Sequence, residues 1–219
     1  MASATSPADP GVARRPYAAR MPAPQRREQL RVAALDIALE RGFHAVTVDA
    51  VARACDVTRP VVYGLFDDRT ALLAALADRA EARTLEQLGF VFPALPGLGD
   101  DADPDELLVQ GVVAYLSAVV ADPRTWRVVL LPPEGAPPEL ARRVDDHRRV
   151  LLRQLRALLD WGLTRRGGPA LDPDLFARAV FSLSEGAARL LLADPGRWSV
   201  DRFESFARTA LAALRPDAT

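Results

Sequence analysis

The sequence predicts an all-α fold in which a small three-helix amino-terminal unit is followed by a larger helical domain. Three observations support this. Apolar residues recur at spacings of three and four along most of the chain, the period of one helix face. No segment shows the apolar–polar alternation of a half-buried strand. The 219 residues are 49% hydrophobic and 26% charged, near the averages of folded proteins, which excludes chain-wide disorder and fibrous classes. That length admits one large or two small domains.

The elements follow in order. Residues 1–22 hold Pro7, Pro10, Pro16 and Pro22 without apolar periodicity and are expected to form a mobile arm. Arg14, Arg15 and Arg20 make it either a solvated tail or a basic arm for a nucleic-acid groove. Leu30, Ala33, Ala34, Ile37 and Ala38 mark one face of a helix over about 24–41 that stops at Gly42. Thr47 is a natural cap for a short helix ending near Cys55, and Thr58 for another over Arg59 to Leu65, where Pro60 falls in the tolerant first turn. Asp67 or Asp68 caps a helix running from Arg69 towards Leu88. Gly89 to Asp103, with two prolines and several glycines, reads as a loop. Within it Gly97-Leu98-Gly99-Asp100-Asp101-Ala102 fits a loose phosphate-binding pattern, but no strand precedes it and its two Asp repel phosphate. Five further helices are predicted at about 104–121, 123–131, 137–166, 172–193 and 199–214.

Charge and composition narrow the function. All 28 basic residues are Arg, against 29 acids. Residues 1–66 carry nine Arg and six acids, whereas 67–219 carry nineteen Arg and twenty-three acids, so a polyanion would meet the front of the chain. The longest stretch without a charged residue or His, Leu107 to Ala121, is 15 residues, shorter than the roughly 18 of a membrane span, and reads as a buried helix. No apolar leader opens the chain, so a cytoplasmic location without membrane association is expected. One cysteine, Cys55, and two histidines, His44 and His147, provide neither a disulfide nor a Cys/His zinc site, and no cofactor is expected. Cys55 reads as a small buried apolar residue rather than a redox sensor. An enzyme is the weak alternative, because there is no Glu-x-x-His pair and no Gly-x-Ser-x-Gly elbow.

The two short helices around Asp56-Val57-Thr58 form a helix-turn-helix, whose second helix can enter the major groove of double-stranded DNA. Phosphate contacts would set its register and base-edge contacts its sequence preference. Thr47, Thr58, Tyr63 and Arg69 lie at helix starts or on the outward face and are the phosphate-contact candidates, with Thr58 equally suited to capping alone. Arg59 is the base-reading candidate, since arginine bridges O6 and N7 of guanine; a phosphate contact is the alternative. Pro60 and Val61 can meet thymine methyls, while Val51, Val57, Val62 and Phe66 form a small core. Arg53 and His44 are weaker candidates.

The run from Thr47 to Leu73, with Ala34, Ala38, Gly42 and Phe43 before it, resembles the DNA-binding signature of the TetR (tetracycline-repressor-like) family of bacterial regulators. The resemblance is strong over about residues 26–75 and architectural beyond. Asp56 stands where the turn commonly has Gly, Leu65 where His is frequent, and Arg69 where Lys is usual. Asp tolerates the left-handed backbone and Arg keeps the positive charge. The resemblance implies a homodimeric transcriptional regulator, with residues 23–68 as the DNA-binding domain and 69–219 as an effector-binding and dimerisation domain. A repressor released from a palindromic operator by a small-molecule ligand is the expectation; a ligand-independent helical DNA-binding protein is the alternative.

In the carboxy-terminal domain Val144, His147, Leu151, Leu155, Leu158 and Gly162 share a face, which sets His147 among apolar residues. A satisfied core histidine and a ligand-facing group in a small-molecule cavity both fit; Tyr115, Trp126, Gln154 and Trp161 are further cavity candidates. Phe176, Val180, Leu183, Ala187 and Leu190 or Leu191 form one stripe. Phe203, Phe206 or Ala207, Ala210 and Leu214 form another. Taken with Leu191 and Ala207, the stripes are the candidate dimer interface, a four-helix bundle between two chains, although intramolecular packing explains them equally well.

Overall fold

The computed structural model describes residues 21–88, 101–166 and 171–214. The expected arm falls almost wholly outside these residues, as do Gly97 and Gly99 of the rejected phosphate pattern. Nine helices are present among the described residues: α1 Ala23–Arg41, α2 Val48–Ala54, α3 Arg59–Tyr63, α4 Arg69–Leu88, α5 Pro104–Ala121, α6 Pro123–Leu130, α7 Pro138–Arg166, α8 Pro173–Ala193 and α9 Val200–Ala213. A 3-10 turn at Phe43–Ala45 joins α1 to α2.

Local chemistry sets the ends. The side chains of Asp103, Asp122, Asp172 and Ser199 each accept a backbone N–H at the start of α5, α6, α8 and α9, and proline follows each of the three aspartates. Asp68 Oδ1 accepts from Ala71 N at 2.7 Å and so opens α4. Gly42, at φ 82°, ends α1 in a conformation that favours glycine. Thr47 Oγ1 accepts from Ala50 N at 3.1 Å, as its position predicts. Thr58 differs. It precedes α3 in extended geometry, but its hydroxyl makes no capping hydrogen bond.

The helices build three apolar clusters. The first joins α1, α2 and α3 to the start of α4 through Leu30, Phe43, Val51, Val62, Phe66 and Leu72, and continues into α6 and α7 at Val128 and Leu140. The second gathers Leu116, Trp126, Leu130, Ala188 and Leu191; the third gathers Leu108, Val109, Leu155, Leu159, Ala177 and Leu211. α5 is central, packing on α4, α6, α7, α8 and α9. Its sequence is longer in apolar character than the uncharged run indicates, and among the described residues it is the one helix long and apolar enough to cross a membrane.

Arginines tie the layers together. Arg79 on α4 pairs with Glu28 on α1 at 2.7 Å, and Arg124 on α6 pairs with Asp36 on α1. Arg127 donates to the Leu192 carbonyl at 3.2 Å and Arg189 to the Leu130 carbonyl at 3.3 Å, so α6 and α8 satisfy each other's terminal oxygens. Where α7 crosses the start of α5, a Cβ on Gly162 would lie 2.9 Å from the Pro104 side chain. Glycine is required there for the close approach.

Candidate nucleic-acid interface and ligand cavity

The turn between α2 and α3 works through one residue in a left-handed conformation, Asp56 at φ 51°. Asp is among the side chains that adopt it at low cost. Val57 N then donates to the Ala52 carbonyl at 2.9 Å, which sets the direction of α3. Val62 and Phe66, 0% and 2% exposed, anchor the inner side of the α3 segment, with the Arg27 guanidinium 4.9 Å from the Phe66 ring centroid. Arg59, Pro60, Val61 and Tyr63 are consequently exposed together, Tyr63 at 52%. Thr47 and Thr58 are exposed beside them, as are His44 and Arg53.

Two arginines of this region are held by contacts that the sequence does not signal. Arg59 forms a two-pronged ion pair with Asp49 of α2, Nε on one carboxylate oxygen and Nη2 on the other. Asp49 stands ten residues earlier, a separation that no single-helix spacing rule links to Arg59. Arg69, although exposed, folds back onto the backbone: Nε donates to the Val46 carbonyl and Nη2 to the Phe43 carbonyl, both at 2.8 Å. It thereby satisfies oxygens of the α1–α2 connection, and only part of its donor capacity is left for a phosphate. Cys55 is buried, its thiol 3.8 Å from the Gln29 carbonyl and pushed up in pKa by that burial.

Beneath this unit, α4 to α8 enclose a cavity of about 80 Å³. Its walls are largely apolar, among them Ala80, Val112, Trp126, Leu130, Leu151 and Phe181. Tyr115, Trp126 and His147 line it, as do Glu81, Thr84, Arg143, Arg148, Ser184 and Glu185. Tyr115 meets Trp126 edge to face at 5.4 Å, and Trp126 Nε1 donates to Gln87 Oε1 at 2.8 Å. Burial, with the Glu185 carboxylate adding to it, holds the Tyr115 phenol well above its ordinary pKa. His147 Nδ1 lies 2.8 Å from the Arg143 carbonyl oxygen, which can only accept, so Nδ1 donates. Its Nε2 is 3.7 Å from Glu81 Oε1.

Two cavity candidates lie elsewhere. Gln154 is exposed and does not line the cavity, although it lies seven residues, two helical turns, beyond His147 on nearly the same side of α7. Trp161 lies towards the end of α7, in a shallow surface groove with the Arg165 guanidinium 4.9 Å from its ring centroid. The acidic lining residues were missed at the sequence level, since a Glu within a charged helix looks like a solvated position until a second helix packs over it.

The α8 and α9 stripes divide in the same way. Ala187 and Leu191, 7% and 5% exposed, belong to the core of the single chain, and Phe176, Val180, Phe203 and Ala207 pack against the clusters as partly buried residues. Between the alternatives left by the spacing, Leu190 and Phe206 are the exposed ones, at 40% and 65%, with Leu175 and Leu183 at 67%. Together with Ala210 and Leu214, Leu183, Leu190 and Phe206 line an apolar groove of about 540 Å³ between α5, α8 and α9. A Cβ on Gly186 would meet nothing within 4 Å, so the α8 surface is open there.

Comparisons with known proteins bear on this arrangement. Residues 30–76 match the family described as bacterial regulatory proteins, tetR family. Over 125 residues the chain is 27% identical to the HTH-type transcriptional activator FasR of Mycolicibacterium smegmatis, covering 57% of this chain and 54% of that protein. The chain thus matches about half the length of that curated relative. Among solved structures, a TetR-like transcriptional regulator from Rhodococcus sp. RHA1 is 25% identical, with a TM-score of 0.67 over 88% of this chain and 99% of that one. AibR, solved in complex with isovaleryl coenzyme A and operator DNA, shares the fold at 17% identity and a TM-score of 0.62, covering 82% and 94%. The amino-terminal helices thus match the tetR family of bacterial regulatory proteins over residues 30–76, and the fold through α9 is like that of TetR-like regulators of known structure.

Proposed function

We propose that this protein is a homodimeric, sequence-specific DNA-binding transcriptional regulator, a repressor released from a palindromic operator when a small molecule enters the α4–α8 cavity. The observation that carries it is the exposed face of α3. Arg59, Pro60, Val61 and Tyr63 stand clear of the fold while Val62 and Phe66 anchor it from below. Arg59 is the base-reading group, Pro60 and Val61 offer apolar contact to thymine methyls, and Thr47, Thr58 and Tyr63 hold phosphates. Arg69 serves mainly to stiffen the unit, with its remaining donors facing the phosphates. Residues 23–68 form the reading head and 69–219 the sensor and dimer domain. A cytoplasmic location follows from that role.

Dimerisation is supported by Leu183, Leu190 and Phe206, large apolar side chains exposed along one face of α8 and α9. A second copy on this face covers them in a four-helix bundle, and open space at Gly186 admits close helix approach. Two reading heads related by a two-fold axis then face half-sites about one DNA turn apart.

Ligand and DNA sites are linked through α4 and α6. α4 packs beneath the reading head with Leu72 and Leu76 and lines the cavity with Ala80 and Thr84. α6 lines it with Trp126 and Leu130 and pairs with α1 through Arg124 and Asp36. After α6, the Glu134 carbonyl accepts from Phe43 N at 2.9 Å, a direct connection to the reading head. A cavity of about 80 Å³ is smaller than the roughly 150 Å³ that holds benzene, so a ligand of more than a few heavy atoms must push these walls apart. Such a ligand favours the head spacing that DNA does not, and differential affinity for the two states releases the operator. AibR, of the same fold, is known with a small molecule and operator DNA together.

Selection of bound duplexes from a random-sequence pool tests the DNA reading. An inverted repeat with half-sites about 10–10.5 base pairs apart is expected; a pool without an enriched motif overturns it.

A further inference from the structure

The charged groups around the cavity are matched to one another, and this bears on the chemistry of what enters it. Arg143 donates to Asp78 and Glu81 at 2.6 Å each and to Glu139 at 3.0 Å. Arg148 donates to Glu185 at 2.7 Å and to Asp145 at 3.3 Å, and Arg189 donates to the second Glu185 oxygen at 3.0 Å. Both lining guanidiniums are therefore already taken up, Arg143 by three carboxylates and Arg148 by two. The hydroxyls of Thr84 and Ser184 are also engaged, on the Ala80 and Val180 carbonyls at 2.7 and 2.8 Å. An anionic ligand finds no free guanidinium, and an ion of either sign would leave water for walls that are largely apolar, a costly transfer.

Two polar groups remain. The Tyr115 hydroxyl has no hydrogen-bond partner among the described residues although its ring is packed against Trp126. His147 donates through Nδ1 to the Arg143 carbonyl, and its Nε2, 3.7 Å from Glu81 Oε1, stands beyond hydrogen-bond distance of any protein partner among the described residues. Both line the same cavity. A ligand that supplies a partner to a polar group opening on an apolar cavity gains affinity and specificity together.

We propose that the effector is an uncharged, largely apolar molecule carrying a hydroxyl group, which hydrogen-bonds to the Tyr115 hydroxyl or to His147 Nε2. Aliphatic alcohols and phenols are the chemical class. This rests on the cavity being the ligand site and adds the polarity of its occupant.

Isothermal titration of the full chain with benzyl alcohol, toluene, benzoate and benzylammonium tests it, in parallel with Tyr115→Phe. That variant removes a hydroxyl the fold does not use, so folding is retained. Benzyl alcohol is expected to bind at least about 10-fold tighter than either ion. Its affinity is expected to fall about 2- to 10-fold in Tyr115→Phe, the value of one neutral hydrogen bond, with toluene unchanged. Tighter binding of benzoate or benzylammonium overturns the uncharged class while leaving the cavity as the ligand site. Benzyl alcohol binding equally to parent and Tyr115→Phe overturns the role of Tyr115. Binding of none of the four overturns the cavity itself as the effector site.

Discussion

Replacing Arg69 separates a structural role from a DNA-contact role. Its guanidinium donates two hydrogen bonds of 2.8 Å, to the Phe43 and Val46 carbonyls. Hydrogen bonds from a charged donor contribute about 1.5–3 kcal/mol each. This site is partly exposed, so water replaces part of what is lost and side-chain freedom is regained; about 2 kcal/mol is expected for the pair. At about 2–4 °C per kcal/mol in a chain of this size, Arg69→Met lowers Tm by about 4–8 °C in scanning calorimetry. The companion assay is fluorescence anisotropy on non-specific duplex DNA over a salt series. Loss of one phosphate contact reduces the slope of log affinity against log salt by about 0.9. A Tm within about 1 °C of the parent, together with a slope reduced by that amount, refutes the structural role.

Other outcomes follow from the same contacts. Asp49→Ala removes the carboxylate that orients Arg59; in competition binding its ratio of operator to scrambled-DNA affinity drops about 3- to 10-fold, part of the 1–3 kcal/mol that a bidentate arginine contributes, whereas an unchanged ratio removes Asp49 from recognition. Leu183→Glu combined with Phe206→Glu adds charge to side chains already exposed in the single chain; sedimentation is expected to show a folded monomer, and a species of parental size contradicts the α8–α9 interface. Arg208 bridges α9 to Glu106 on α5, and its hydrogen bond holds the Glu106 carboxyl below the ordinary 4.5. Because the folded-state value is depressed, this contribution is fully present above pH 4.5 and is lost as pH falls through the lower value. The Tm gap between parent and Arg208→Ala therefore closes between neutral pH and pH 3; a pH-independent gap contradicts the assignment.

Helix order was legible from apolar periodicity, and local chemistry fixes the bounds more finely than that spacing does. Asp103, Asp122, Asp172 and Ser199 sit one residue before their helices, and the side-chain oxygens do the capping that those residue types favour. Asp56 was legible for the same reason, as one of few non-glycine residues suited to a left-handed turn. Periodicity set His147 on the apolar face of α7 that proves to line the cavity, but left core and ligand-facing roles open, and it could not distinguish Leu190 from Leu191 or Phe206 from Ala207. Adjacent residues on a helix differ by about 100°, and a stripe wide enough to hold both faces its own core on one flank and solvent on the other. The contacts of Arg59 and Arg69 were illegible because their partners, Asp49 and two backbone carbonyls, come from other elements. Gln154 shows the converse: it shares the side of α7 that holds His147, yet two turns further along it is exposed, and periodicity does not say how far along a helix its neighbours extend.

The central claim is that the exposed α3 face reads DNA sequence. Its most direct test is anisotropy on an enriched palindrome and on scrambled DNA across a salt series, for the parent, Arg59→Ala and Tyr63→Phe. The account predicts that the parent prefers the palindrome by about 10³-fold or more. Arg59→Ala should reduce that preference, and Tyr63→Phe should weaken binding to both DNAs alike. Equal, weak binding of the parent to both DNAs, unaffected by either substitution, would contradict it.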